Sequence, residues 1–216
     1  CIKAVISTAK LCEELGHHVE EARPHYSWTS LLQAFQDYWS FGVPAKIQAL
    51  ENTTNKKANA DNLEPSTLAL LAHGQQLTGE RLANSWMELH TITRIFDEFF
   101  NRFDVFITPT CLTPAPTLGT INGNKEGLTL AEWFDQNISQ FAPFTPLFNV
   151  TGHPAMSVPL HQSNTGLPIG VQCIGHRGAE ATLLQLAAQL EQTKPWPQTP
   201  FTTEQISQAQ QETVHE

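Results

Sequence analysis

A chain of 216 residues, 40% apolar and 15% charged, is long enough to bury one sizeable core and has a globular composition. Twelve Lys and Arg against 21 Asp and Glu give a formal charge of −9; with no basic stripe interleaved with aromatics, nucleic acid and anionic membranes are excluded as expected partners. No apolar run nears the ~20 residues that cross a bilayer, and the polar start CIKAVISTAK is no secretory h-region, so a cytoplasmic protein is expected.

Apolar side chains recur at Ile2, Val5, Ala9, Cys12 and Leu15 and stop at Gly16. This pattern predicts an amphipathic helix with a glycine C-cap, followed by a short strand at residues 19–22. Opening on a helix with neither cap nor methionine, the chain is expected to begin partway through a larger protein. Cys1, Cys12, Cys111 and Cys173 form no CxxC pair. On such a helix Cys1 and Cys12 lie about 16 Å apart along the axis, too far for a disulfide. All four are expected to be reduced.

A second helix is predicted in YSWTSLLQAFQDYWSFG, where Leu31, Phe35 and Tyr38 or Trp39 fall at helical spacing and Gly42 with Pro44 interrupts. Residues 51–62, ENTTNKKANADN, read as a surface loop. The next helix opens in LEPSTLALLAHGQQLTG, with Pro65 in its first turn. The longest period follows over residues 79–103, through Leu82, Trp86, Leu89, Thr93, Phe96, Phe100 and Phe103.

DVFITPT reads as a buried strand ended by proline; PAMSVPLH and PIGVQCIG read as two more, joined through QSNTGL into an antiparallel hairpin. EATLLQLAAQLEQ sets Leu183, Leu186, Ala187 and Leu190 on one helical face, and KPWPQTP ends it. Residues 203–216 are expected to fray.

Chemistry has few carriers. A serine nucleophile needs a tight turn and backbone N–H groups aimed at the oxyanion, yet there is no Gly-Gly pair and no G-x-S-x-G. Ser157 is the one serine that invites the role, and its place inside a strand argues against it. Cys111 follows a strand end, where pockets form in open sheets; Cys173 lies in an apolar strand and reads as core. The nine histidines show no H-E-x-x-H, and His153, His161 and His176 are dispersed. Neither metal nor cofactor is expected.

The segment APFTPLFNVTGHPAMSVPL carries X-Pro steps that favour extended backbone, a Gly152 that permits positive φ, and Asn149 and Thr151 that can satisfy buried backbone groups. With Phe141, Phe144 and Phe148 it reads as a compact loop forming a pocket wall.

Here a resemblance becomes specific. GHHVEE, LEPSTLALLAHG, DVFITPT, APFTPLFNVTGHPAMSVPL, GLPIGVQCIGHRGAEATLLQLAAQLE and the closing PW, in this order, resemble the C-terminal part of the amidase signature family over residues 1 to about 200. Within the family the pattern is most similar to bacterial amidases related to the cyclic-dimer hydrolases of nylon oligomers. The resemblance implies an α/β fold in which residues 1–202 form the C-terminal portion of the amidase signature fold, a mixed β-sheet covered by helices.

It also implies hydrolysis of carboxamide C–N bonds by a Ser-Ser-Lys triad that lies in an N-terminal part this chain lacks. A serine forms the acyl-enzyme, a second serine in a cis peptide relays protons, and a lysine is the base. No lysine here matches the catalytic context, so no catalytic residue is assigned. By position, Thr110, Cys111, Phe144, Thr145 and Asn149 are expected to bind substrate through shape and orientation. The implied partner is a small-molecule amide, with neither nucleic acid nor membrane. Alone, the chain is expected to be inactive and to self-associate through faces that truncation leaves unpaired. The alternative is a stand-alone, non-catalytic amidase-like module for binding or assembly.

Overall fold

In the computed structural model, which describes residues 1–196, the elements run α1 (Ile2–Glu14), α2 (Trp28–Phe41), α3 (Val43–Thr54), α4 (Pro65–Gln76), α5 (Gly79–Phe99), β1 (Val105–Pro109), α6 (Leu130–Phe134), a π-helical turn (Asp135–Ser139), α7 (Thr145–Thr151), β2 (Ala155–Gln162), β3 (Pro168–Gly175) and α8 (Glu180–Thr193). The segment expected to fray lies outside the described residues.

The three strands form one antiparallel sheet in the order β1-β3-β2. The predicted β2–β3 hairpin is present, and β1 joins the free edge of β3 with Thr108 opposite Gln172. Because successive side chains on a strand point to opposite faces, the central β3 sends Val171 and Cys173 one way and Gly170, Gln172 and Ile174 the other.

On the first face, Val105, Ile107, Met156, Val158, Leu160, Val171 and Cys173 pack against Ala4 and Cys12 of α1 and Leu183, Leu186 and Leu190 of α8. On the second, Phe106 and Ile174 join Leu89, Ile92 and Phe96 of α5, Phe100 after it, Leu147 and Phe148 of α7, and Leu31 and Ala34 of α2. A third cluster of Phe35, Leu130, Phe134 and Ile138 binds α2 to α6 and the π-helical turn. Each such side chain, once buried, contributes about 1.5–3 kcal/mol. The sheet is therefore clamped from both sides, and the layer is α/β as expected.

Local chemistry explains the boundaries. The N–H of His17 donates to the Cys12 carbonyl and that of Gly16 to Glu13, a paired stop in which Gly16 takes φ 92. Ser27 and Thr78 cap α2 and α5 with their side chains. Thr129 and Glu132 form a capping box at α6.

Four expectations shift. Residues 19–22 form no strand, since no described backbone lies beside them to complete a ladder; Val19 instead packs on the α1–α8 cluster. Gly42 and Pro44 end α2 but also open α3, because proline in a first turn costs no hydrogen bond, so the helix runs to Thr54 before the left-handed Asn55 stops it. The buried stripe of α5 is Ser85, Leu89, Ile92 and Phe96, and Trp86 is exposed. The wall segment is not loop throughout: Pro146 starts α7 and Gly152, at φ 73, ends it.

One ionic node ties the helical layer. Asp37 of α2 is fully buried and accepts from Arg81 Nε at 2.9 Å, Arg81 Nη2 at 2.8 Å, Ser85 Oγ at 2.7 Å and His73 Nε2 at 2.7 Å. Burial alone would raise its carboxyl, but the bonds from Arg81, His73 and Ser85 outweigh it and hold the group below the ordinary carboxylate range. Replacing Asp37 by Asn puts an amide donor among these donors and leaves the Arg81 guanidinium without its counter-charge. The substitution Asp37→Asn is expected to cost about 2–4 kcal/mol, read as the shift of the urea midpoint; an unmoved midpoint would dissolve the node's role.

Two imidazoles add a second pH dependence. His153 is buried between Phe100 and Phe96, with Nδ1 3.0 Å from Thr151 Oγ1 and Nε2 3.3 Å from Asp97 Oδ1. His161 sits between Thr8 of α1, at 3.0 Å, and Lys194, at 3.5 Å. Burial lowers both pKa values, with Asp97 opposing at His153 and Lys194 adding at His161. A depressed imidazole means that the unfolded chain binds more protons near and below about pH 6.5. The stability these groups contribute is thus present above that value and lost as pH falls toward the folded pKa. Asp37 follows with its contribution present above about pH 3.9 and lost below, through its depressed folded value. Urea midpoints measured from about pH 8 to about pH 3 should fall in two stages, and a flat profile through the upper stage would show that these imidazoles are not held neutral.

Candidate functional site

The second face of the sheet changes character along the strands. At one end Phe106 and Ile174 lie under α5 and α7. Toward the other end the same face carries Thr108 and then Thr110 from β1 and its exit, Gln172 and Gly170 from β3, and Ser157 from β2, which stands opposite Gln172. Hydrogen bonds join them. Gln172 Nε2 donates to Thr108 Oγ1 at 3.1 Å and to the Phe144 carbonyl at 3.5 Å. The hydroxyls of Thr110 and Ser157 bond each other at 2.7 Å, and the Thr110 N–H donates to the Gly170 carbonyl at 3.3 Å.

Gly170 is required by that geometry. A Cβ at this position would stand 2.5 Å from Ser157 Oγ and 2.8 Å from Thr110 Oγ1, so any side chain would break the hydroxyl pair. One donated hydrogen joins the pair; the second hydroxyl hydrogen and the remaining lone pairs are free to meet a polar group from outside.

The wall stands beside this row. The Leu112 N–H donates to the Phe141 carbonyl at 2.8 Å, tying the exit of β1 to the start of the segment. Phe144, half-buried, precedes α7, and Thr145 is its first residue. Pro146, Leu147, Phe148 and Thr151 turn inward, so Asn149, one helical turn after Thr145, is exposed beside it. Of the two residues expected to satisfy irregular backbone, Thr151 instead holds His153, and Asn149 faces outward.

The structure thus gathers Thr110 with Ser157 and Gly170, and Phe144 with Gln172 and Thr108. Cys111 is half-buried, and burial raises its thiol pKa, which suits a wall group and not a thiolate nucleophile. Burial and the neighbouring Cys12 push Cys173 up to about 12, as its core position requires. The recess between α2 and α5, lined by Ser30, Asp37, Arg81, Asn84, Ser85 and Glu88, has its central charges already paired and serves the fold.

Gly170, Gln172 and Thr108 escaped the sequence reading as site residues, and Ser157, weighed there as a nucleophile and set aside, stands in the row as a hydrogen-bonding hydroxyl. The available signal was the lone carboxamide in the apolar string PIGVQCIG, in period two with Gly170; the contacts themselves cross between strands far apart in the chain.

Comparison with known proteins gives the relatives of the chain. A family model described as Amidase matches residues 1–184. AmiC of Mycobacterium tuberculosis is 35% identical over 192 residues, which are 88% of this chain and 39% of AmiC. The 6-aminohexanoate-cyclic-dimer hydrolase of Paenarthrobacter ureafaciens is 30% identical over 202 residues, 91% of this chain and 41% of that protein. A solved structure of 6-aminohexanoate cyclic dimer hydrolase matches with a TM-score of 0.80 at 28% identity, over 90% of this chain and 41% of its own. A bacterial aryl acylamidase of the amidase signature family matches in fold, with a TM-score of 0.69 at 23% identity over 90% of this chain and 40% of its own. The chain spans about 40% of the length of the curated relatives it matches. No helix among the described residues is long and apolar enough to cross a membrane.

Proposed function

The chain belongs to the amidase family, and from that premise we propose that it is the C-terminal, pocket-forming part of a longer amidase that hydrolyses carboxamide C–N bonds. The observation that carries the reading is the family match over residues 1–184 in a chain that spans about 40% of its relatives. The Ser-Ser-Lys triad belongs to the remainder. In that reaction the nucleophilic serine attacks the amide carbon, its proton passes through the relay serine and lysine to the departing amine nitrogen, and water then attacks the acyl-enzyme, giving the acid and returning a proton to the serine.

The residues of this chain bind and orient. The apolar wall at Phe144 limits the acyl group, with Cys111 and Thr145 beside the same opening and Asn149 at its outer edge. The Thr110–Ser157 hydroxyls supply a polar edge that can donate to a carbonyl or accept from an N–H. Holding the amide in one pose lowers the entropic part of the barrier without any bond being broken here. The substrate class is a small carboxamide; a cyclic amide such as the one named for the cyclic-dimer hydrolases is one member to test. Four free cysteines support a cytoplasmic location, where thiols stay reduced.

The full-length natural protein, assayed against a small aliphatic amide, a bulky aryl amide and 6-aminohexanoate cyclic dimer, is expected to release amine. The 216-residue chain alone is expected to be inactive, and self-associated in light scattering. Silence from the full-length protein would favour a binding module instead, and turnover by the chain alone would place the triad wrongly. In the full-length enzyme, Phe144→Ala should change the ratio of kcat/KM for bulky over small amides about tenfold. Equal changes for both would remove Phe144 from the wall.

A further inference from the structure

We infer that Gln172 is a positioning residue of this pocket: its carboxamide sets the place of the Phe144 backbone, and with it the Phe144 ring, against the sheet. The inference rests on the reading of this face as an amidase pocket and goes beyond it by naming what holds the wall in register.

Gln172 is 4% exposed, between the fully buried Val171 and Cys173. A carboxamide in such a place is costly unless its hydrogens are bonded, so the bonds it makes define why it is tolerated. One N–H goes to Thr108 Oγ1 at 3.1 Å. The Thr108 hydroxyl has its own hydrogen directed to the Pro109 carbonyl at 3.1 Å, which leaves it an acceptor toward Gln172 and fixes the amide orientation. The other N–H then faces the Phe144 carbonyl at 3.5 Å.

A single side chain on the central strand therefore reaches both the neighbouring strand and the wall. The wall's other tie to the β1 exit, from the Leu112 N–H to the Phe141 carbonyl, lies three residues earlier. Together the two ties bracket residues 141–144 and leave the Phe144 backbone little freedom to slide. The Gln172 bond to Phe144 is the longer of its two and so the weaker tie, the one a changed side chain at 172 loses most readily.

The test uses the full-length protein with Gln172→Met, which keeps the length and apolar packing of the side chain and removes both donors, and with Gln172→Glu, which sets acceptor oxygens against the Phe144 carbonyl. Thermal melts establish that each variant is folded. The expected result is a KM for the bulky amide raised about tenfold relative to that for the small amide, with kcat changed less. Combining Gln172→Met with Phe144→Ala should add nothing to the ratio seen with Phe144→Ala alone, since both act through one ring. Additive effects would overturn the inference, as would an unchanged ratio in a folded variant.

A second readout is independent of turnover: fluorophenylalanine at position 144, followed by fluorine NMR, should shift or broaden in Gln172→Met and stay in place in the surface variant Leu184→Ala. An unmoved resonance in Gln172→Met overturns the inference whether or not the protein hydrolyses amides. A moved resonance in a full-length protein that hydrolyses no amide supports the positioning role and overturns the amidase reading.

Discussion

The Asp37 carboxylate is buried and has its charge satisfied from within, by Arg81 and Ser85 of α5 and His73 of α4. An unpaired carboxylate at that depth would be severely penalised, so the three helices can meet only where those donors converge. That convergence places Leu31, Ala34 and Phe35 of α2 against two apolar clusters at once. Through Leu89, Ile92 and Phe96, α5 then supports α7 and the apolar end of the sheet. The proposed pocket wall stands on this layer: α7 is only seven residues long, too short to be stable by itself, and it holds its position because Leu147 and Phe148 are buried by α5 and its neighbours.

The central strand β3 joins the two sides of the fold. Its residues serve two environments in alternation, Val171 and Cys173 in the α1–α8 core and Gly170, Gln172 and Ile174 on the face that becomes the candidate site. A strand covered on both faces tolerates polar atoms only where partners wait, and Thr108 and the Phe144 carbonyl are those partners. Further along, the missing side chain of Gly170 lets Thr110 and Ser157 approach each other. The same two-residue period thus sets both the core face and the face of the candidate site.

Much of this was legible beforehand. The α1 and α8 helices, the β2–β3 hairpin and β1 were visible because each buries one face or a whole short run, and burial writes periodicity into sequence; α4, in which Ser66 alone is buried, was marked by Pro65 in its first turn. α3 was not, since none of its residues is buried and nothing distinguishes its polar end from a loop. The α6 segment is too short for a period, although the Thr129 and Glu132 pair marks its start. Residues 19–22, Val-Glu-Glu-Ala, hold one strand former among residues depleted in strands, and they form no ladder with the described residues.

The resemblance carried by APFTPLFNVTGHPAMSVPL and its companions identified the family, and the match over residues 1–184 agrees. By itself the sequence determined most of the longer helices and the three strands, because their periods depend on residues close together in the chain, and its resemblance to known sequences pointed to the family. Only the tertiary structure decided that Gln172 meets Thr108 and Phe144, that Ser157 meets Thr110, and that Asp37 meets Arg81. Those pairs are set by strand register and helix crossing, and a one-residue slip in either would dissolve them without changing the local pattern of any segment.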